Sequence, residues 1–354
     1  MFAPPSPQEM EGPLRAELYF LKGRAFVTGV GEKRDYEKAA GLFKKAAQWG
    51  HAKAQNELGV LYLNGWGVEK NLEEATRWFR LAAEQGLAPA QFNLGISYQL
   101  GRGVPRDEKQ AIDWLTRAAG QDYPQAQRAL GLAYVNGTGV PEDYAKAFEW
   151  YHRAARLGDR PSQFYLGSMY LQGAGVERDP TQALEWYRRA AENGSVRAQN
   201  ALGHLYQTGQ EIPRDYAAAL GWFQRAAEAG DATGQFNLGL HYFFGWGVSA
   251  DLPRAAEWFL KAAEQGLPQA QLNYAVMARD GKGMARDYEA ARWWFERAAL
   301  QGNARAAYFL GQMIELGMGG PPRRQDALQW YIRAAQWGLP EAARAIRRLD
   351  STPR

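Results

Sequence analysis

A tryptophan recurs every 36 residues through most of this chain, and that period constrains the fold more than any other feature. The series consists of Trp78, Trp114, Trp150, Trp186, Trp222, Trp258, Trp294 and Trp330. An alanine pair follows each tryptophan at a constant offset, as Ala82-Ala83 follows Trp78. One earlier copy has the pair Ala46-Ala47, with Leu42 in the tryptophan position. A fixed period of this length indicates a repeat array in which each unit packs only against its neighbours.

Residues 51–86 show how one unit is expected to fold. Ala54 and Leu58 belong to an apolar series with a spacing of four, which predicts a first α-helix. Gly59 lies in the middle of this helix and recurs in most copies, although a helical glycine costs about 1 kcal/mol relative to alanine. We therefore expect a neighbouring helix to approach closely at this point. Trp78 belongs to a second predicted helix.

The turn between the two helices reads Gly65-Trp66-Gly67-Val68 in this copy and recurs in similar form. Its first glycine is expected to adopt the left-handed conformation that ends a helix. A short polar side chain then precedes the second helix, where it predicts an N-cap. These N-cap residues are Asp35, Asn71, Asp107, Asp143, Asp179, Asp215, Asp251 and Asp287.

Several stretches depart from the pattern. Leu14, Leu18, Leu21, Ala25 and Phe26 have helical spacing and predict a first helix with a degenerate apolar face. The sixth copy, near residues 195–230, loses the second turn glycine. The eighth copy, near residues 267–302, loses the Leu-Gly pair of the first helix. We expect local irregularity near residues 209–213 and 274–284.

The consensus is Ala-Gln-x-x-Leu-Gly-x-x-Tyr-x-x-Gly-x-Gly-Val, then Asp, then Ala-x-x-Trp-x-x-x-Ala-Ala-x-x-Gly. This pattern resembles the Sel-one-like repeat (SLR), a relative of the tetratricopeptide repeat (TPR). Residues 51–65 and 75–86 carry it almost letter for letter, and the resemblance covers roughly residues 15–350. It implies an all-α protein, a right-handed α-solenoid of about nine 36-residue helix–turn–helix repeats.

Residues 1–13 are expected to form a disordered or linker lead, and residues 14–350 a single solenoid. The predicted copies lie near residues 15–50, 51–86, 87–122, 123–158, 159–194, 195–230, 231–266, 267–302 and 303–338, with a C-terminal cap at 339–350.

Composition and motifs exclude several function classes. The chain has no cysteine, which excludes disulfides and thiolate chemistry. Its 42 basic and 38 acidic residues are too balanced to favour nucleic acid, and it lacks an apolar run long enough to span a membrane. Four histidines show no metal-binding spacing, and no nucleophile or phosphate-binding motif is present. We expect no enzyme activity, no metal and no cofactor.

The remaining signal lies on the first helices, which by resemblance to TPR arrays line the concave face. The position of Asn56 carries an aromatic residue in every second copy, and further aromatic residues stand near the end of the first helix and in the turn. Such aromatics are typical of binding hot spots, or else they pack against the next repeat. The candidate partner-binding residues are Phe92, Arg128, Phe164, Phe236, Phe243, Phe244, Tyr308, Trp66 and Trp246.

The resemblance implies a non-enzymatic protein–protein interaction scaffold of bacterial type, which binds a partner protein along its concave face. One candidate role is an immunity protein that neutralises a secreted type VI lipase-type effector. The alternatives are an adaptor in signalling or in an envelope or polysaccharide-secretion assembly, and a glycan or peptidoglycan binder that uses the aromatic groove. We expect a monomer in the periplasm, with the cytoplasm as the alternative, although the start of the chain lacks the features of a signal peptide.

Overall fold

The computed structural model describes residues 12–351, which form nineteen α-helices and contain no strand. The chain divides into two compact units, Met1–Trp186 and Tyr187–Arg354. Within each unit, every helix packs against the helix that follows it in the chain. The structure therefore confirms the predicted all-α solenoid of helix pairs.

Odd-numbered helices are the first helices of the repeats, and even-numbered helices are the second helices. Unit 1 contains α1 (Gly12–Thr28), α2 (Tyr36–Gln48), α3 (Ala52–Asn64), α4 (Leu72–Glu84), α5 (Ala88–Leu100), α6 (Glu108–Ala119), α7 (Pro124–Asn136), α8 (Tyr144–Arg156) and α9 (Arg160–Gln172). Helix α10 (Pro180–Glu192) contains the boundary between the units. Unit 2 contains α11 (Val196–Thr208), α12 (Tyr216–Glu228), α13 (Ala232–Phe244), α14 (Leu252–Glu264), α15 (Pro268–Asp280), α16 (Tyr288–Leu300), α17 (Ala304–Glu315), α18 (Arg324–Gln336) and α19 (Pro340–Ser351).

The helix ends follow from local sequence chemistry. Asp35 precedes α2, and its carboxylate accepts a hydrogen bond from the backbone N–H of Lys38 at 3.0 Å. Asp107 makes the equivalent bond to Gln110 at the start of α6, also at 3.0 Å. Gly65 ends α3 with a φ of 73°, in the left-handed region that favours glycine. These contacts confirm the predicted caps.

The glycine in the middle of the first helix allows the second helix to approach. A Cβ added to Gly59 would lie 2.6 Å from the ring of Phe79, and one added to Gly131 would lie 2.6 Å from the ring of Tyr151. Both rings are buried. Glycine therefore offsets its helical cost by admitting a large apolar ring, as the sequence predicts.

The second turn glycine has a separate role that the sequence alone did not show. Gly103 has a φ of 67°, and a Cβ there would overlap the carbonyl oxygen of Leu72 at the start of the preceding second helix. Glu211 takes this position in copy six without a positive φ, so that turn differs locally. The expected irregularity at 274–284 is wrong, because α15 is unbroken and the buried Ala275 replaces the glycine.

A buried glutamine in each of the seven first helices from α3 to α15 joins that helix to the preceding repeat, and we call this series the glutamine ladder. Its members are Gln55, Gln91, Gln127 and Gln163 in unit 1, and Gln199, Gln235 and Gln271 in unit 2. The Nε2 of Gln55 donates to the carbonyl oxygen of Ala47 at 3.2 Å. Its Oε1 accepts from the Nε2 of Gln85 in the same repeat at 2.7 Å. Buried amides paired on both atoms fix the stacking of adjacent repeats.

The N-terminal helix buries only part of the predicted apolar face. Ala16, Phe20 and Gly23 are buried in α1, whereas Leu14 and Leu21 are 57% and 54% exposed. The predicted first helix is confirmed, with Leu18, Ala25 and Phe26 half-buried. Leu14 and Leu21 do not pack, however, because the rings of Phe20 and Phe43, 6.0 Å apart, decide which face packs on α2. Residues 1–11 of the predicted lead lie outside the described residues, and Gly12 and Pro13 begin α1.

Candidate functional site

The first helices of unit 1 enclose a cavity of about 190 Å³. It lies between α5 and α7 and reaches the side chain of Tyr165 on α9. The other lining residues are Phe92, Ile96, Gln99, Gln125, Arg128, Ala129 and Leu132. All eight lining residues occupy positions that vary between repeats. The cavity is therefore formed by these particular copies and is not a feature of every repeat.

Two of the nine candidate residues, Phe92 and Arg128, meet in this unit 1 cavity. Phe92 is half-buried, with its ring centroid 5.6 Å from that of Tyr123. Arg128 is 31% exposed and its Nη1 donates to Oδ1 of Asp159 at 2.7 Å, while the Asp159 side chain is only 8% exposed. Phe164 is half-buried on α9 beside Tyr165 and does not line the cavity.

The first helices of unit 2 enclose a larger cavity of about 410 Å³. The candidate residue Tyr308 lines it, and its hydroxyl accepts a hydrogen bond from the Nε2 of Gln312 at 3.0 Å. The other lining residues are Leu272, Asn273, Val276, Arg305, Phe309, Leu339 and Glu341. One arginine and one glutamate therefore accompany an apolar wall.

Phe243, Phe244 and Trp246 form a separate group at the turn after α13, which we call the turn cluster. The ring of Phe244, which is 54% exposed, stacks on Trp246 with centroids 4.7 Å apart. Trp246 is half-buried and stacks in turn on Tyr216, at 5.5 Å and an interplanar angle of 8°. Phe243 meets Phe244 edge-on at 5.0 Å. The turn cluster is distinct from the unit 2 cavity, since none of its residues lines that cavity.

Trp66 and Phe236 complete the candidate set, and neither lines the unit 1 or the unit 2 cavity. Trp66 is 45% exposed, with its ring 5.4 Å from that of Tyr36. Phe236 is half-buried and lies 5.7 Å from Phe259, which belongs to the repeat core. Phe236 therefore packs on a core residue of its own repeat, whereas the alternative interpretation of this position was packing against the next repeat.

Sequence reasoning missed several residues that the structure brings to the cavities. Gln125 and Arg305 share one repeat position, one turn before the aromatic series, and both line cavities. The Oε1 of Gln125 is buried and has no hydrogen-bond partner among the described residues. The sequence does carry a signal for this position, because it varies between repeats while the two positions that follow it are nearly constant.

Burial shifts the ionisation of nearby groups. It raises the pKa of the Tyr123 hydroxyl beside Phe92, although the charge of Arg128 opposes this. Burial also lowers the pKa of His241, whose Nδ1 donates to the carbonyl oxygen of Trp246 at 2.8 Å. In residues 12–351 no three His, Asp or Glu side chains converge as metal ligands would. No helix in that range has the length and apolar character needed to cross a bilayer.

A model of the Sel1 repeat matches nine consecutive segments of the chain. The matched segments are residues 19–51, 52–87, 88–123, 124–159, 160–195, 196–231, 232–267, 268–303 and 304–338. No curated protein sequence matches the chain.

Solved structures show the same architecture. A Sel1 repeat protein from Oxalobacter formigenes is 37% identical, with 84% of this chain and 87% of that chain covered and a TM-score of 0.69. The protein c5321, a protective antigen of uropathogenic Escherichia coli with an SLR fold, is 33% identical, with 96% and 81% covered and a TM-score of 0.51. The immunity protein Pa5087 of Pseudomonas aeruginosa is 21% identical, with 64% and 84% covered and a TM-score of 0.41, a likeness too weak to bear on function.

Proposed function

The chain belongs to the Sel1 repeat family, whose members mediate protein interactions, and from this premise we propose that it is a non-enzymatic scaffold for a partner protein. The observation that carries the proposal is the pair of cavities between first helices, one in each unit. Pockets that take an anchoring side chain of the partner are typical of protein interfaces.

The distribution of constant and variable residues supports this function. Constant residues such as Leu94, Gly95 and Gln91 are buried and hold the repeats together. The variable residues reach the surface of the first helices, where a partner could contact them. Because function resides in such sites and not in the repeat itself, the cavities are the first surfaces to test.

Affinity capture from cells that express the protein naturally tests this proposal. Two variants add a negative charge at cavity residues, Leu132→Glu in unit 1 and Arg305→Glu in unit 2. The matched controls are Leu81→Glu and Leu300→Glu, which alter exposed leucines of second helices. We expect the controls to retain the partner and at least one cavity variant to lose it, because a charge buried without a partner opposes binding. Retention by both cavity variants, with loss in a control, would contradict the proposal.

We also propose a narrower role as an immunity protein for a secreted type VI lipase-type effector. Support comes from the family resemblance and from the apolar first-helix surfaces, which suit a folded protein partner. The test is inhibition of a purified type VI lipase-type effector by the purified chain. Stoichiometric inhibition by the wild type and loss of inhibition in Leu132→Glu or Arg305→Glu would support this role. Full effector activity in the presence of excess protein would exclude that effector, and an envelope, secretion or signalling adaptor would then be the better proposal.

Glycan or peptidoglycan binding is a second candidate function, and the turn cluster favours it. The exposed ring of Phe244 on the stacked rings of Trp246 and Tyr216 offers a flat apolar face of the kind that packs on a sugar. Phe244→Ala should weaken retention on a peptidoglycan column if this function holds. Equal retention of the variant and the wild type, or no retention of either, would remove it.

The proposed cellular state is a monomer in the periplasm, with the cytoplasm as the alternative. Sedimentation of the purified chain and fractionation of native cells test the two parts separately. A dimer of fixed stoichiometry, or recovery in the cytoplasmic fraction alone, would contradict them.

A further inference from the structure

The volume of the unit 1 cavity restricts what can occupy it. Pockets for free small ligands usually measure about 300–1,000 Å³. The unit 1 cavity, at about 190 Å³, is smaller and suits one side chain of a larger molecule. Its walls are apolar, formed by Phe92, Ile96 and Leu132 among others. An aliphatic or aromatic side chain is therefore the group that fits.

Gln125 adds a requirement for a hydrogen-bond donor beside that side chain. Its Oε1 is buried at the cavity and has no partner among the described residues. A buried acceptor without a partner costs about 1–3 kcal/mol, so an occupant that brings an N–H gains from pairing with it. The backbone N–H groups of a partner helix are engaged within the helix after its first turn. An extended segment offers its N–H groups freely.

The charge of the surrounding helices indicates whether a bound segment should be acidic or basic. The helices α5, α7 and α9 contain no aspartate or glutamate, and their charged residues are Arg128 and Arg160. The carboxylate beside them, that of Asp159, is nearly buried, paired with Arg128, and caps α9 by accepting from the backbone N–H of Ser162 at 3.0 Å. Arg128, Arg160 and Asp159 together leave a net charge of +1, so an acidic segment is attracted and a basic one is repelled.

We propose that the unit 1 cavity binds an extended acidic peptide segment of a partner, with one apolar side chain inserted between α5 and α7. The backbone N–H of the inserted residue donates to Oε1 of Gln125. The carboxylates of the segment lie near Arg128 and Arg160. This inference rests on the proposed scaffold function and specifies the kind of partner that unit 1 takes.

Selection from a random linear peptide library on the immobilised full chain tests the inference. We expect selected peptides to share one apolar residue, to be enriched in Asp and Glu, and to be depleted in Lys and Arg. For a selected peptide, Gln125→Leu should weaken binding about fivefold, the usual loss for one hydrogen bond. Ala129→Leu should fill the cavity and weaken binding by more than Gln125→Leu does.

The matched control is Gln269→Leu, which changes the same repeat position on α15, where the residue is exposed and lines neither cavity. Circular dichroism of each variant checks that the helices are retained. Unchanged affinity in Ala129→Leu, enrichment of basic peptides, or equal loss in Gln125→Leu and Gln269→Leu would overturn the inference, as would a selection without a consensus. The peptide selection could fail while the capture experiment yields a partner that Leu132→Glu loses. That result would support the scaffold function and overturn only the proposal of an extended peptide.

Discussion

The cavities of the two units share five of their eight lining repeat positions, yet one measures about 190 Å³ and the other about 410 Å³. Where unit 1 has Phe92 and Arg128, unit 2 has Leu272 and Tyr308. Gln125 of unit 1 corresponds to Arg305 of unit 2. The repeat thus fixes the backbone, while a few variable side chains set the volume and polarity of each cavity.

The helix pairs and turns that the two units share should lose the same stability when the same turn glycine is replaced. This is the largest effect that we expect. Gly103→Ala in unit 1 and Gly283→Ala in unit 2 each place a Cβ on the backbone of a preceding helix, at Leu72 and Leu252. We expect each substitution to lower the free energy of unfolding by about 3 kcal/mol, because the cost of the left-handed conformation and the cost of the backbone overlap add. Urea unfolding followed by circular dichroism measures this loss.

The control for this prediction is Gly86→Ala, which has a similar φ of 88° but no atom within 4 Å of the added Cβ. It should cost only about 1 kcal/mol, the conformational part alone. Equal losses of stability in Gly86→Ala and Gly103→Ala would show that contact between the turn and the preceding helix adds nothing to the cost.

A pH dependence should distinguish unit 2 from unit 1. His241 is fully buried in unit 2, whereas Ala133 takes its place in unit 1. Because Nδ1 donates to Trp246, a second proton must go to Nε2, which has no partner among the described residues. Its folded pKa is lowered from 6.5 by burial, so the unfolded state binds more protons near that pH. Stability should be complete above pH 6.5 and decline by about 1–3 kcal/mol on acidification.

Hydrogen exchange of α11 to α14 against pH measures this decline, with α5 to α7 of unit 1, which contain no histidine, as the internal reference. His241→Met introduces the methionine that the next copy has at this repeat position, Met277, and should abolish most of the decline. The remainder belongs to His204 on α11, an exposed residue whose pKa is also lowered by partial desolvation. An unchanged decline in His241→Met would assign the pH dependence to other groups.

The glutamine ladder offers a smaller, stabilising change in each unit. The Oε1 atoms of Gln127 and Gln199 are buried without partners because Leu157 and Ala229 stand where Gln85 pairs with Gln55. Leu157→Gln and Ala229→Gln should each add about 1 kcal/mol, the usual net gain of one hydrogen bond. Thermal unfolding checks the gain. Gln127→Met combined with Leu157→Gln is the control, since the new amide then has no acceptor and should give no benefit.

The smallest effect is expected at Asp122, where the other repeats of unit 1 have Gly86 and Gly158. Asp122 has a φ of 56°, in the left-handed region that disfavours a side chain. Asp122→Gly should stabilise unit 1 by about 0.5–1 kcal/mol. Asp159→Gly, at a residue that caps α9, should destabilise under the same assay. A loss of stability in Asp122→Gly would mean that its hydrogen bond with Gln127 outweighs the backbone cost.

The sequence predicts the framework well because the framework repeats. Gly59 and Asp35 recur at fixed spacing, so their roles follow from one copy. The structure of α1 was less predictable, because a single copy gives no period and several apolar stripes compete. The cavities were less predictable still, since Gln125 acquires its role only when α5 and α7 stack side by side.

Site-specific photo-crosslinking tests most directly whether the first-helix cavities bind the partner. A benzophenone amino acid replaces Leu132 or Arg305 at the cavities, and Leu81 or Leu300 on second helices, in the full chain within native cells. We expect adducts with one partner from at least one cavity position and none with that partner from the second helices. Adducts from Leu81 or Leu300, with none from Leu132 or Arg305, would contradict a partner site at the cavities.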